Sequence, residues 1–199
     1  NGVLGEAESI TVLSTLGYVE PVETLRRVQT LHQSSRYLQL PEVSRLRFDA
    51  LMPHVLSLAA LHSNPEATLH RMIDLLESVC RRASYLALLA EHKEALKLLV
   101  KLCSSSPWLS QYLTQHPILL DELLATNTLY AAPDFAQMRQ ELKQRLTEFE
   151  GDVERQMDVM RHFKHAYVFR FAAQDINGSL SLETLSDYLS ALATLILSV

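Results

Sequence analysis

Five of the seven prolines stand at the head of an apolar pattern with helical period. Val22, Leu25, Val28 and Leu31 follow Pro21; Leu69, Met72, Ile73, Leu76, Val79 and Cys80 follow Asn64–Pro65. Pro41 precedes Val43, Leu46, Ala50 and Leu51, which are expected to face inward. Pro107 and Pro117 each open a short Leu-rich run. Proline has its φ preset and lacks an N–H that the first turn of a helix leaves unpaired anyway, so it suits a helix start. This punctuation restricts the chain to a succession of helices with short corners. The same rule predicts that Pro53 kinks or breaks the helix opened by Pro41. Only five glycines are present and no stretch alternates strictly, so a many-stranded fold is excluded.

The remaining pattern is also helical. Helices are predicted over about 108–115 and 117–124, meeting at a corner on His116, with Asp121 and Glu122 left in water. Segments 84–91 and 93–104 form two more, close together or continuous. A polar loop over 125–133 is a candidate internal seam. The next helix, 134–149, puts Phe135, Met138, Leu142, Leu146 and Phe149 on one side. The longest spans about 152–176, with Asp152, Glu154 and Asp158 early and Arg161, Lys164 and Arg170 late, an order that complements the helix dipole. Gly178 supplies a left-handed cap. Ser181 caps a last helix that presents Leu185, Leu189, Leu192 and Ile196. The predicted fold is all-α: an irregular multi-helix bundle of about nine or ten helices. It is read as one domain over 1–199, divisible into subdomains 1–124 and 134–199.

Composition narrows the partners. The formal net charge is −5, and the arginines at 26, 27, 36, 45, 47, 81 and 82 are interleaved with acids, so no nucleic-acid partner is expected. No apolar run reaches the roughly 18 residues that a membrane span requires. Cys80 and Cys103 lie in apolar helical patterns, as small hydrophobes do, and a reducing, cytoplasmic location is expected. The chain lacks an initiator Met and ends on Leu195–Ile196–Leu197–Ser198–Val199 with no capping glycine, which is read as a fragment of a longer protein.

Few residues invite chemistry. Asp175–Ile176–Asn177–Gly178 has the middle of a calcium loop, but Ala173 and Thr184 occupy the positions of its first and last ligands. His162 and His165 share a helix face without a third ligand. His32, His54, His62, His70, His92 and His116 are scattered. Trp108, Met138, Met157 and Met160 are expected to pack. There is no phosphate-cradling G-x-x-x-x-G-K-[ST] and no G-x-G-x-x-G. Asp152 and Glu154 have the spacing of a metal-binding acid pair on a strand, but a helix points them apart. No residue is therefore assigned a catalytic, cofactor-binding or metal role.

Several segments resemble one family in consistent order. Ser106–Leu124, SPWLSQYLTQHPILLDELL, is similar to a segment of the bifunctional glutamine synthetase adenylyltransferase/adenylyl-removing enzymes. So are Gly17–Pro21 with Glu23–Arg27, Arg45–Pro53, Asn64–Pro65 with Asp74–Glu77, Arg81–Leu89, and Phe163–Leu192. Phe171 departs from the aliphatic residue of many relatives, a core exchange.

The resemblance implies a regulatory and connecting helical domain between two nucleotidyltransferase units. The parent would transfer AMP from ATP to a tyrosine of glutamine synthetase and remove it by phosphorolysis. Mg and ATP would be cofactors of the parent, not of this fragment, which lacks the Gly-Ser-x-x-Asp-x-Asp pattern that holds them. The implied partners are the flanking catalytic domains, glutamine synthetase and the PII signal protein. Glutamine and PII would bias the two activities. Two alternatives stand beside this: a stand-alone helical interaction module, and the equivalent region of the N-terminal half of the same enzymes.

Overall fold

The computed structural model describes residues 5–199. Among them are thirteen helices, twelve α and one 3₁₀, and no strand. The all-α expectation holds, and the count exceeds nine or ten. The additional helices are α1 (Glu6–Leu16), α3 (Ser35–Leu38) and α9 (Thr126–Leu129). Of α1 only Leu13 is buried, so it shows little apolar stripe, and a four-residue turn is too short to display a helical period. The chain forms two compact units that divide between Pro117 and Ile118. The 125–133 segment belongs to the second unit.

The first unit contains α1, α2 (Pro21–Gln33), α3, α4 (Glu42–Ala59), α5 (Pro65–Val79), α6 (Ala83–Glu91), α7 (Lys93–Ser105) and α8 (Pro107–Gln115). Helix α5 is its centre, touching α2, α4, α7 and α8. It starts as its sequence dictates: Pro65 is the first residue, and the Asn64 side chain accepts from the Ala67 N–H at 3.1 Å. Leu69, Met72, Ile73, Leu75, Leu76 and Val79 are all buried, more than one stripe, because helices cover α5 on several sides. Phe48, Leu51, Met52 and Val55 of α4, and Leu96, Leu99, Val100 and Cys103 of α7, complete this core. α6 and α7 are separate helices that meet at His92.

The break expected at Pro53 does not occur, and two predicted faces differ. Helix α4 runs unbroken through Pro53, which lies exposed, so its ring meets solvent and not a packed neighbour. The buried face of α4 is Ser44, Phe48, Leu51, Met52, Val55 and Ala59, while Val43, Leu46 and Ala50 face out. On α2, Val22 is exposed and Thr24 is buried. Packing buries the small polar Thr24 and Ser44 and leaves Val22, Val43 and Leu46 outside, a choice that apolar period does not record.

The second unit contains the 3₁₀ helix Pro117–Leu124 beyond its first residue, α9, α10 (Phe135–Thr147), α11 (Val153–Ile176) and α12 (Leu182–Leu197). Its core joins Met138 and Leu142 of α10, Phe163 and Phe171 of α11, and Leu192 and Leu195 of α12. Helix α11, with 24 residues, is the longest. It is capped at one end by Asp152, whose side chain accepts from the Arg155 N–H at 3.1 Å. At the other end Gly178 has φ 73°, Gly178 N–H donates to Asp175 C=O at 2.8 Å, and Ser179 N–H donates to Gln174 C=O at 2.9 Å. That pair of bonds is the Schellman closure, which needs a left-handed residue at Gly178. Ser181 caps α12 as expected. Leu189 and Met157, expected inward, are exposed, and Leu195 takes the buried place on α12.

Candidate functional site

The Ser106–Leu124 corner forms much as its prolines demand. Ser106 caps α8 by accepting from the Leu109 N–H at 3.1 Å, and Pro107 is the first residue. The segment after Pro117 is a 3₁₀ helix and not an α-helix. Its tighter winding buries Leu119, Leu120 and Leu123 while leaving Asp121 exposed. Glu122 does not stay in water. Its carboxylate accepts from Arg170 Nε of α11 at 2.8 Å, with the two side chains 19% and 20% exposed.

Arg170 is the centre of a chain of contacts. Its guanidinium lies 4.8 Å from the Tyr167 ring centroid. Burial works against the charge, but the Glu122 carboxylate outweighs it and holds the Arg170 pKa above its ordinary value. Tyr167 donates to Glu141 at 3.5 Å, and Glu141 also takes Arg145. Burial and then the Glu141 charge raise the Tyr167 pKa, so the phenol keeps its proton.

One turn beyond Arg170, Gln174 is 3% exposed. Its amide nitrogen donates to Leu129 C=O at 2.9 Å and Ala131 C=O at 3.1 Å. Thus α11 binds the preceding segment at two levels, Arg170 to Glu122 and Gln174 to residues 129–131. Around this clamp lies a cleft of about 260 Å³, lined by the 131–134 turn, the start of α10 and the Tyr167, Arg170 and Gln174 side of α11. Sequence reasoning left Glu122 in water and read Arg170 as a charge complementing the helix dipole, and missed Gln174. The available signal was weak: an amide directly after the apolar triplet Phe171–Ala173.

A second polar network lies in the first unit. Glu66 Oε1 accepts from Val19 N–H at 2.6 Å and Glu20 N–H at 3.1 Å, and Tyr18 OH donates to Leu56 C=O at 2.9 Å. Arg27 pairs with Asp74 at 2.8 Å. Arg71 donates to the Cys103 and Ser104 carbonyls at 2.8 and 3.1 Å, closing the end of α7. The Gly17–Pro21 turn and the Asn64–Glu77 segment are therefore bonded to each other.

The other singled-out residues are structural or solvent-facing. Cys80 and Cys103 are buried thiols with no disulfide. Burial pushes the Cys103 thiol up to about 12, so it is no thiolate nucleophile at neutral pH. His162 is exposed and His165 half-buried on α11. Among the described residues no three His, Cys, Asp or Glu side chains converge to hold a metal ion, and no helix is long and apolar enough to cross a membrane. Trp108 departs from the packing expectation: it is 53% exposed and stacks on Tyr112 at 4.8 Å between ring centroids.

Comparison with known proteins agrees with the sequence resemblance. A family model described as glutamate-ammonia ligase adenylyltransferase matches residues 96–199. A bifunctional glutamine synthetase adenylyltransferase/adenylyl-removing enzyme of Chromobacterium violaceum is 49% identical over 195 residues, 98% of this chain and 22% of that protein. Proteins of the same description from Aromatoleum aromaticum and Pseudomonas putida are 50% and 42% identical over 94% and 93% of this chain, and 20% and 19% of their own length. The chain thus spans about a fifth of the length of the curated relatives it matches. The span matched by the family model includes Glu122, Arg170, Gln174 and the carbonyls that Gln174 holds, so the clamp is built from the family's own segment, and this chain belongs to the glutamate-ammonia ligase adenylyltransferase family.

Proposed function

We propose that this chain is the helical connecting and regulatory segment of a bifunctional enzyme that adenylylates glutamine synthetase and removes the adenylyl group. The observation that carries the reading is the mismatch of coverage: relatives with that description align over 98% of this chain but only 22% of themselves. In this reading the whole piece is one part of a larger catalytic protein. The sequence carries no Gly-Ser-x-x-Asp-x-Asp pattern for Mg and ATP, so the chemistry belongs to flanking domains. The work left to packed helices is mechanical. They hold two remote sites in alternative arrangements, and effectors of the parent such as glutamine and PII act by favouring one arrangement. The cellular location in this reading is cytoplasmic, consistent with two unpaired buried cysteines.

Two measurements test this. The purified chain, given labelled ATP and glutamine synthetase, is expected to transfer no label above a mock preparation. In the parent enzyme, replacing this segment by a flexible linker is expected to leave both basal activities and abolish their opposed response to glutamine and PII. A full effector response without the segment would refute the regulatory reading. The exposed Trp108–Tyr112 stack supports a second reading, a plain interaction module, in which the same replacement leaves the response intact.

A further inference from the structure

The cleft of the second unit has an unused acceptor built into its wall. The Gln174 amide faces two carbonyls, which only accept, so its NH2 must point at them. The amide oxygen therefore turns the other way, in a residue that is 3% exposed and lines the cleft, and among the described residues no group donates to it. Asp134 also lines the cleft. One of its oxygens, Oδ1, takes both capping bonds, from Ala136 and Gln137 N–H at 3.0 Å each, which leaves Oδ2 unused. Arg170 is already engaged by Glu122 and the Tyr167 ring, and Glu141 by Arg145 and Tyr167. The lining residues and their direct partners carry three carboxylates, Glu122, Asp134 and Glu141, against two guanidinium groups, Arg145 and Arg170. Gln174 Oε1 and Asp134 Oδ2 are open acceptors, beside the exposed Gln137 amide and Thr128 hydroxyl, which can donate or accept; the surplus charge is negative, and Met138 and Phe171 provide apolar wall.

We propose that this cleft binds a small alkylammonium ligand. The ammonium donates to Gln174 Oε1 and Asp134 Oδ2, and its aliphatic stem lies against Met138 and Phe171. An ammonium has three N–H donors and no acceptor, the complement of what the cleft leaves open. A carboxylate or phosphate would face Asp134 and Glu141 and be repelled. The proposal is independent of the family's catalytic activity.

The test is a titration of the isotope-labelled 199-residue chain with n-butylammonium chloride, followed by amide NMR at constant ionic strength. Saturable shifts are expected at Thr128, Gln137 and the Gln174 side-chain amide, with a dissociation constant of about 1 mM. Butanol and butyrate, with the same stem and no positive charge, are expected to give none. Asp134→Asn keeps the helix cap, since Asn caps as well as Asp. Losing the charge should weaken butylammonium binding about three-fold. Ala132→Trp, at the exposed rim, should block the cleft. Nα-acetyl-lysine methylamide separates a free amine from a lysine presented by a polypeptide, and tighter binding of the free amine is expected. No saturable shift up to about 50 mM, equal binding of butanol, or unchanged binding in Asp134→Asn would overturn the proposal. Tighter binding of the blocked lysine would overturn the assignment to a small molecule.

Discussion

At the scale of single residues, the informative groups are polar ones that the fold has taken partly out of water. Glu122 and Arg170 gain from each other only as a pair. Removing one leaves a charge that is four-fifths covered, which costs more than the pair contributes. Glu122→Ala is expected to destabilise the second unit by about 2 kcal/mol, read as a fall in the denaturation midpoint. An unchanged midpoint would mean that Arg170 finds water without loss. Glu66 makes a different prediction. Burial raises its pKa, but the bonds from Glu20 and Val19 N–H outweigh it and the net shift is downward. A carboxylate whose folded pKa lies below its unfolded value adds stability that is fully present above the unfolded value of about 4 and is lost as pH falls through the folded one. The stability advantage over Glu66→Gln should therefore be constant near neutrality and shrink in acid. An advantage that grew on acidification would reverse the sign and refute the assignment.

At the scale of elements, the proline-headed helix starts and the buried face of α5 were legible in the sequence, and the inward faces of α2, α4 and α12 were legible only in part. Asn64–Pro65 and Ser106–Pro107 carry their caps and first residues in adjacent positions, a local signal that no packing partner can change. Gly178 is of the same kind, since only a left-handed residue closes α11. An added Cβ there would meet nothing within 4 Å, so the cost of Gly178→Ala is conformational alone, about 1 kcal/mol. No break occurs at Pro53 because the rule against proline inside a helix gives a cost and not a prohibition. It sits on the exposed face of α4, so only the missing hydrogen bond and local strain are borne, and the burial of Phe48, Leu51, Met52 and Val55 exceeds them. Pro53→Ala should then stabilise the first unit by about 1 kcal/mol or more, less than the full propensity difference because alanine also frees the unfolded chain. A lower midpoint in this variant would mean that the proline ring is needed where it lies. The buried faces of α2, α4 and α12 could not be decided locally: Val22, Val43 and Leu46 are more apolar than the buried Thr24 and Ser44, and Leu189 is as apolar as Leu192 and Leu195. The clamp was hidden for the same reason. Glu122 to Arg170 and Gln174 to Leu129 are contacts between residues more than forty positions apart, and no period records them.

At the scale of the molecule, the division into two units at Pro117 and Ile118 has an energetic consequence that can be measured. The second unit has its own closed set of core residues, Met138, Leu142, Phe163, Phe171, Leu192 and Leu195, drawn from three helices. Phe171 is 1% exposed and stands between Tyr167, at 6.1 Å, and Tyr188, at 5.3 Å between ring centroids. Cutting it to alanine removes the transfer energy of a phenyl ring and leaves a hole that neighbouring aromatic rings can refill only in part. A loss of about 3–5 kcal/mol is expected. Phe171 is also where this chain departs from the aliphatic residue expected of many relatives, so Phe171→Leu, which keeps most of the apolar volume, should cost much less. Residue-resolved hydrogen exchange can separate the units. Phe171→Ala should accelerate exchange throughout α10, α11 and α12, while the amides of α5 and α7, centred on a different core, retain their protection. If protection fell equally in α5 and α7, the two compact units would be one cooperative body. In the proposed connecting role, one cooperative body could only pass a structural change on as a whole, whereas two separately stable units would allow one to rearrange while the other holds.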